Sequence, residues 1–265
     1  MLFNERLKNC FFEYDGKYSY DFNLDIISWN HTDSPTPIIE QERIPGAPRD
    51  TIFYTGTHEN KIIDIECYLD IRQDKSRKND LITNIKNWLS TFEYRKLKFS
   101  DDIGHYEGLC ISNLLFDEVV DGLYRTLITF SCSPYKISRT NKFNLNNNKT
   151  WEVENNGWDK SPLRARIDYN EGQVGNLTVT VTQDEKELYN FGFDYPPSGT
   201  KTILLNSEDL TLIAINAEGI KTDVTSLASS PSFPYIPKGK STLKFNAFSN
   251  GYAKSAVVEF DERTL

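Results

Sequence analysis

Ile62-Ile63-Asp64-Ile65-Glu66-Cys67-Tyr68-Leu69-Asp70 alternates apolar and charged side chains with a period of two. Successive side chains of a pleated backbone point to opposite faces, so Ile63, Ile65, Cys67 and Leu69 line one face and Asp64, Glu66 and Asp70 the other. One face suits a core and the other water, which is the pattern of an antiparallel strand in a layered β protein. Outward from this stretch the same period recurs. Leu163, Ala165, Ile167 and Tyr169 oppose Arg164, Arg166 and Asp168, and Asn176–Thr182 alternates with its threonines outward. Asp15-Gly16, Asp121-Gly122, Asn156-Gly157 and Asn250-Gly251 offer the positive φ angles that tight hairpins need. The last of them predicts a closing hairpin between 243–248 and 253–260.

One segment departs from the strand period. Leu81, Ile82, Ile85, Trp88 and Leu89 share a helical face, which predicts a single helix over about residues 75–89, packed across a sheet and capped by Asp74 or Ser76. A chain of 265 residues is long enough for two compact units. The polar, asparagine-rich stretch 136–150 marks the join, giving domains 1–139 and 140–265. The expected fold is therefore mainly β, with two antiparallel β-sandwich domains, the first carrying the helix. No internal repeat is present.

Composition excludes several functions. With 38 acidic and 30 basic side chains the net charge is −8, which repels a phosphate backbone and argues against a nucleic-acid binder. The first residues lack the apolar core and small-residue cleavage site of a signal peptide, and nowhere do eighteen apolar residues run together, so a soluble, non-inserting chain is expected. Cys10, Cys67, Cys110 and Cys132 form no CxxC pair, and three of them sit in apolar stretches, which predicts buried reduced thiols.

Chemistry-bearing motifs are absent. No GxSxG elbow, phosphate-binding glycine loop or HExxH helix occurs, and His31, His58 and His105 have no partner in sequence. Neither a cofactor nor a metal is expected. Asp101-Asp102 offers oxygens for a cation or for acid–base work, but adjacent carboxylates on a strand point apart and Ser-Asp-Asp is ordinary turn chemistry. Trp151, Trp158, Tyr195 and Tyr235 lie beside polar or turn residues and are the candidates for stacking on a sugar ring. They support a carbohydrate-binding, lectin-like module as an alternative function.

Several segments together resemble the distal tail proteins of long-tailed, non-contractile bacteriophages, the Dit-type baseplate hub. They are Phe12-Glu13-Tyr14-Asp15-Gly16-Lys17-Tyr18-Ser19, Glu42-Arg43-Ile44-Pro45-Gly46 before the 62–70 strand, the helix ending Asn87-Trp88-Leu89, Leu97-Lys98-Phe99-Ser100-Asp101-Asp102, Tyr106-Glu107-Gly108, and Ile128-Thr129-Phe130-Ser131-Cys132-Ser133-Pro134-Tyr135. Ser232-Phe233-Pro234-Tyr235-Ile236-Pro237-Lys238-Gly239 is similar to the family's galectin-like C-terminal sandwich. Where the family often reads Arg-Asp-Gly, this chain reads Arg49-Asp50-Thr51.

The resemblance implies a non-catalytic virion protein of the tail tip, made and assembled in the bacterial cytoplasm. It implies a homohexameric ring between the major tail tube protein and the tail-associated tip protein, with DNA passing through unbound and receptor-binding proteins attached outside. Arg43, Ile44, Pro45, Gly46, Arg49, Asp50, Phe53 and Tyr54 would then form the ring interface. Asp64, Glu66 and Asp70 are candidates for the channel wall, where acidic side chains let a duplex slide without sticking.

Overall fold

The alternating stretch forms a ten-residue strand, Lys61–Asp70, with Ile63, Ile65, Cys67 and Leu69 fully buried. The structure, a computed structural model, describes residues 10–145, 150–170, 177–193, 197–230, 232–246 and 253–264, with the side chains of 54–56 excepted. Chain contacts divide it into two units, one ending at Lys136 and the other covering Ile137–Thr264.

The first unit contains β1 (Phe12–Tyr14), β2 (Lys17–Tyr18), β3 (Leu24–Trp29), β4 (Pro37–Glu42), β5 (Thr51–His58), β6 (Lys61–Asp70), β7 (Arg95–Phe99), β8 (Tyr106–Cys110), β9 (Asp117–Val120) and β10 (Leu123–Cys132). Eight of these make one antiparallel sheet ordered β2-β1-β7-β8-β10-β6-β3, with β9 beside β10. β1 and β10 are three strands apart, about 14 Å across a flat sheet. Their Phe12 and Phe130 rings nevertheless lie 6.0 Å apart, so the sheet curls around its own core and two layers come from one sheet.

The helix α1 (Lys78–Leu89) buries Leu81, Ile85, Trp88 and Leu89 in that core. Trp88 stacks on Phe12 at 5.5 Å and Phe22 at 4.4 Å, and its Nε1–H donates to the Tyr14 carbonyl at 2.8 Å. The expected caps do not cap it. A 3₁₀ turn, Lys75–Arg77, leads directly into the helix, and the Ser76 hydroxyl donates to Asp74 at 2.6 Å instead of accepting a helix amide.

The second unit contains β11 (Lys136–Leu145), β12 (Thr150–Asn155), β13 (Ser161–Pro162), β14 (Arg164–Tyr169), β15 (Leu177–Gln183), β16 (Lys186–Phe193), β17 (Thr200–Asn206), β18 (Thr211–Asn216), β19 (Lys221–Asp223), β20 (Tyr235–Ile236), β21 (Gly239–Phe245) and β22 (Ala253–Thr264). A six-stranded sheet, β11-β22-β14-β17-β18-β19, shares one core with a four-stranded sheet, β12-β21-β15-β16. Inward residues of both layers meet there, among them Ala165, Ile167, Ile203 and Val258 from one and Val179, Val181, Phe191 and Leu243 from the other. This is sandwich packing.

Two turn expectations are corrected. β21 and β22 do not pair as a hairpin, since β21 runs between β12 and β15 while β22 runs between β11 and β14 in the other sheet. Asn250-Gly251 itself lies outside the described residues. Asn156-Gly157 likewise joins no hairpin. A Cβ on Gly157 would meet both N and O of Arg263 at 2.8 Å, so this glycine serves close backbone approach to β22. Asp15-Gly16 does turn a hairpin, with φ of 49° and 77° between paired Tyr14 and Lys17, and Gly122 turns β9 into β10.

Candidate assembly interface

Among the described residues β4 and β5 pair only with each other, in a sheet separate from the eight-stranded one. The local cause is visible in the strands themselves. Ile38-Ile39 and Ile52-Phe53 are adjacent apolar pairs, which place one apolar side chain on each face, so no single face can be given to a core. In the register Ile39 opposes Tyr54, Glu40 opposes Phe53 and Gln41 opposes Ile52. Ile52 is 60% exposed, Phe53 50%, and Ile38, Ile39 and Ile44 are exposed too. A two-stranded hairpin is marginally stable in water by itself, and apolar residues on both its faces are what a partner would cover.

The connecting loop is closed by an Arg43–Asp50 ion pair at 2.9 Å and by a turn at Gly46, whose φ is 86°. Asp50 thus has a structural use without a following glycine. Arg43, Ile44, Pro45, Gly46, Arg49, Asp50 and Phe53 are all exposed on this hairpin, and of Tyr54 only the backbone is described. At the base, His58 Nδ1 lies 3.2 Å from the Tyr135 hydroxyl. Sequence reasoning placed weight on the loop and missed Ile38, Ile39 and Ile52; the signal for them was the doubled apolar residues that break a period of two.

Asp64, Glu66 and Asp70 lie half-buried on the outer side of β6, and each has a partner. Asp64 accepts from the Thr129 hydroxyl at 2.7 Å, Glu66 pairs with Arg125, and Asp70 pairs with Arg72 at 2.6 Å. The Arg72 hydrogen bond holds the Asp70 carboxyl below its ordinary range. This face is charge-balanced rather than bare acid.

His31 has the partners that sequence reasoning did not find. Its ring is 3% exposed, stacked on Phe99 at 4.4 Å, with Nε2 3.5 Å from Asp101 and 3.9 Å from Asp102. Asp102 is itself held by Lys136 at 2.8 Å. Lys61, also buried, donates to the His31 carbonyl and to the Tyr106 hydroxyl at 3.3 Å. Burial lowers the pKa of both His31 and Lys61, with Asp101 and Asp102 opposing the effect at His31. The buried Cys132, opposite Lys61 in the β6–β10 register, is the thiol beside this cluster, and burial pushes it up to about 12, so the cluster fastens one end of the core. No group of His, Cys, Asp and Glu among the described residues could hold a metal ion, and no described helix is long and apolar enough to cross a membrane.

Trp151 packs half-buried against the second core, and Tyr195 lies outside the described residues. Trp158 is 58% exposed with the Lys238 ammonium 5.5 Å from its ring centre. Tyr235 donates to the Ser207 carbonyl at 3.0 Å and carries Lys160 over its ring at 4.9 Å.

Among solved structures, the crystal structure of SPP1 Dit, titled a paradigm of hub adsorption apparatus in Gram-positive infecting phages, matches with a TM-score of 0.70 at 14% identity. It covers 97% of this chain and 99% of that one. The fold is that of a Dit-type hub protein. Chains of the phage p2 baseplate in its activated conformation, with Ca and with Sr, match this chain at TM-scores of 0.56 and 0.54, each at 10% identity. They cover 96% and 95% of this chain and 97% of each of those. No family model and no curated protein matches the sequence. So low an identity across a shared fold reflects cores that tolerate any apolar set of the right volume and pattern.

Proposed function

We propose that this protein is a structural, non-catalytic hub of a phage tail tip. Six copies close into a ring between the major tail tube protein and the tail-associated tip protein, leave a channel for DNA, and carry host-adhesion components such as receptor-binding proteins. The observation that carries the reading is the Dit fold over both units and nearly the whole of each chain. The hairpin supports it independently, because a contact between two different patches of one chain generates a closed ring when its rotation permits, and β4–β5 exposes Ile39, Ile44, Ile52 and Phe53 while pairing, among the described strands, with no strand of the eight-stranded sheet. The hairpin residues 43–54 are the proposed ring interface, and the β6 carboxylates contribute to the channel wall. With Glu66 and Asp70 already paired to arginines, such a wall would be near neutral and would hold DNA no more tightly than solvent does.

The test is the mass of the purified chain by size-exclusion chromatography with light scattering, over a range of concentration and salt, with imaging of large species. A species of six times 30.6 kDa with a central hole is expected. A monomer under all conditions would overturn the self-assembling ring.

A further inference from the structure

We propose that Trp158, Tyr235, Lys160 and Lys238 form a binding site for an acidic polysaccharide. The reading is independent of ring assembly. β13 pairs with β20, Ser161 opposite Ile236 and Pro162 opposite Tyr235, which brings the 158–162 segment alongside 235–238. Asn155 ties the two together, donating to the carbonyls of Asp159 at 2.9 Å and Ile236 at 3.1 Å. The Trp158 amide is anchored on the Arg263 carbonyl at 2.6 Å, so the exposed indole projects from a fixed backbone. Tyr189 lies 5.9 Å from Tyr235 and extends the aromatic surface.

The charge of this patch differs from that of the chain. In a protein of net charge −8, Lys160 and Lys238 form no ion pair among the described residues; what holds each ammonium is the face of an aromatic ring. Of the nearby acids, Glu208 pairs with Arg263, and Asp159, which accepts the Lys160 backbone amide at 2.7 Å, sets one carboxylate beside two ammoniums. Ammoniums held on rings retain donors for a carboxylate or phosphate, and the open indole offers a π face to the C–H side of a sugar. A ligand that carries both, a sugar polymer with acidic groups, uses all four side chains. Carboxylates farther off are screened, because the Debye length is about 8 Å at physiological salt.

Affinity electrophoresis of the full chain in gels containing polygalacturonate, with dextran as the uncharged control, tests the assignment. Retardation by polygalacturonate alone is expected, weakening as salt is raised. Lys160→Met and Lys238→Met should each weaken binding about tenfold, the low end for a hydrogen bond to a charged group. Trp158→Ala should abolish retardation, with unchanged unfolding midpoints showing that all three variants are folded. Absence of retardation, equal retardation by dextran, or lysine variants that bind as the parent does would each overturn the proposal.

Discussion

Replacing Ile52 and Phe53 together by threonine separates assembly from stability. Threonine is β-branched and, like isoleucine and phenylalanine, suits a strand, so the hairpin retains its backbone preference. In the isolated chain both side chains are at least half exposed, and surface changes of this kind cost under about 0.5 kcal/mol. In a ring their remaining surface is covered. Full burial of an Ile or Phe side chain contributes about 1.5–3 kcal/mol, so the exposed half contributes about 1 kcal/mol each and about 2 kcal/mol for the pair at every contact. A closed ring of six has six such contacts but forms by five associations, so each association loses about 2.4 kcal/mol; at about 1.4 kcal/mol per tenfold, the variant should need roughly 50-fold more protein to reach the same ringed fraction. Light scattering across a dilution series measures this, alongside urea unfolding of the monomer. Rings that persist to the parent's dilution limit would refute the reasoning. So would a monomer that loses 2 kcal/mol or more, since the residues would then belong to the unit's own core.

Trp88→Ala removes the indole between Phe12 and Phe22 and leaves the Tyr14 carbonyl without its donor; a loss of about 3–5 kcal/mol is expected in urea unfolding. Gly157→Ala forces a methyl against the Arg263 backbone and should lower stability by about 1–3 kcal/mol, whereas Gly199→Ala, with open space around it, should cost only its backbone strain at a φ of 81°. His31 resists protonation in the fold relative to its ordinary value of 6.5, so the unfolded chain binds the extra proton first. Stability should therefore be full above pH 6.5 and decline as the pH falls below it, and His31→Gln should flatten that decline in pH-resolved unfolding midpoints. Cys67 and Cys132 are fully buried, with the Cys132 thiol pushed up to about 12, so neither should react with iodoacetamide before unfolding, as mass spectrometry of the alkylated peptides would show.

Much of the fold was legible in the sequence because it rests on local period. The alternation in 62–70, 163–169 and 177–182 specified which side chains go inward, and the helical spacing of 81, 82, 85, 88 and 89 specified one helix, since both follow from backbone geometry within a single element. The absence of catalytic motifs was equally local. Pairing is different. Two alternating segments joined by Asn-Gly look the same whether they pair with each other or enter opposite layers, and only the neighbours β12, β15, β11 and β14 assigned β21 and β22 to different sheets. The exposure of β4–β5, the meeting of His31 with Asp101 and the lysines over Trp158 and Tyr235 likewise join residues far apart in the chain. The sequence by itself thus determined the strands, the helix and the inward faces, which are properties of neighbours along the backbone. The tertiary structure alone decided which apolar surface is exposed and which charges meet a partner among the described residues, because both depend on what long-range packing brings alongside them.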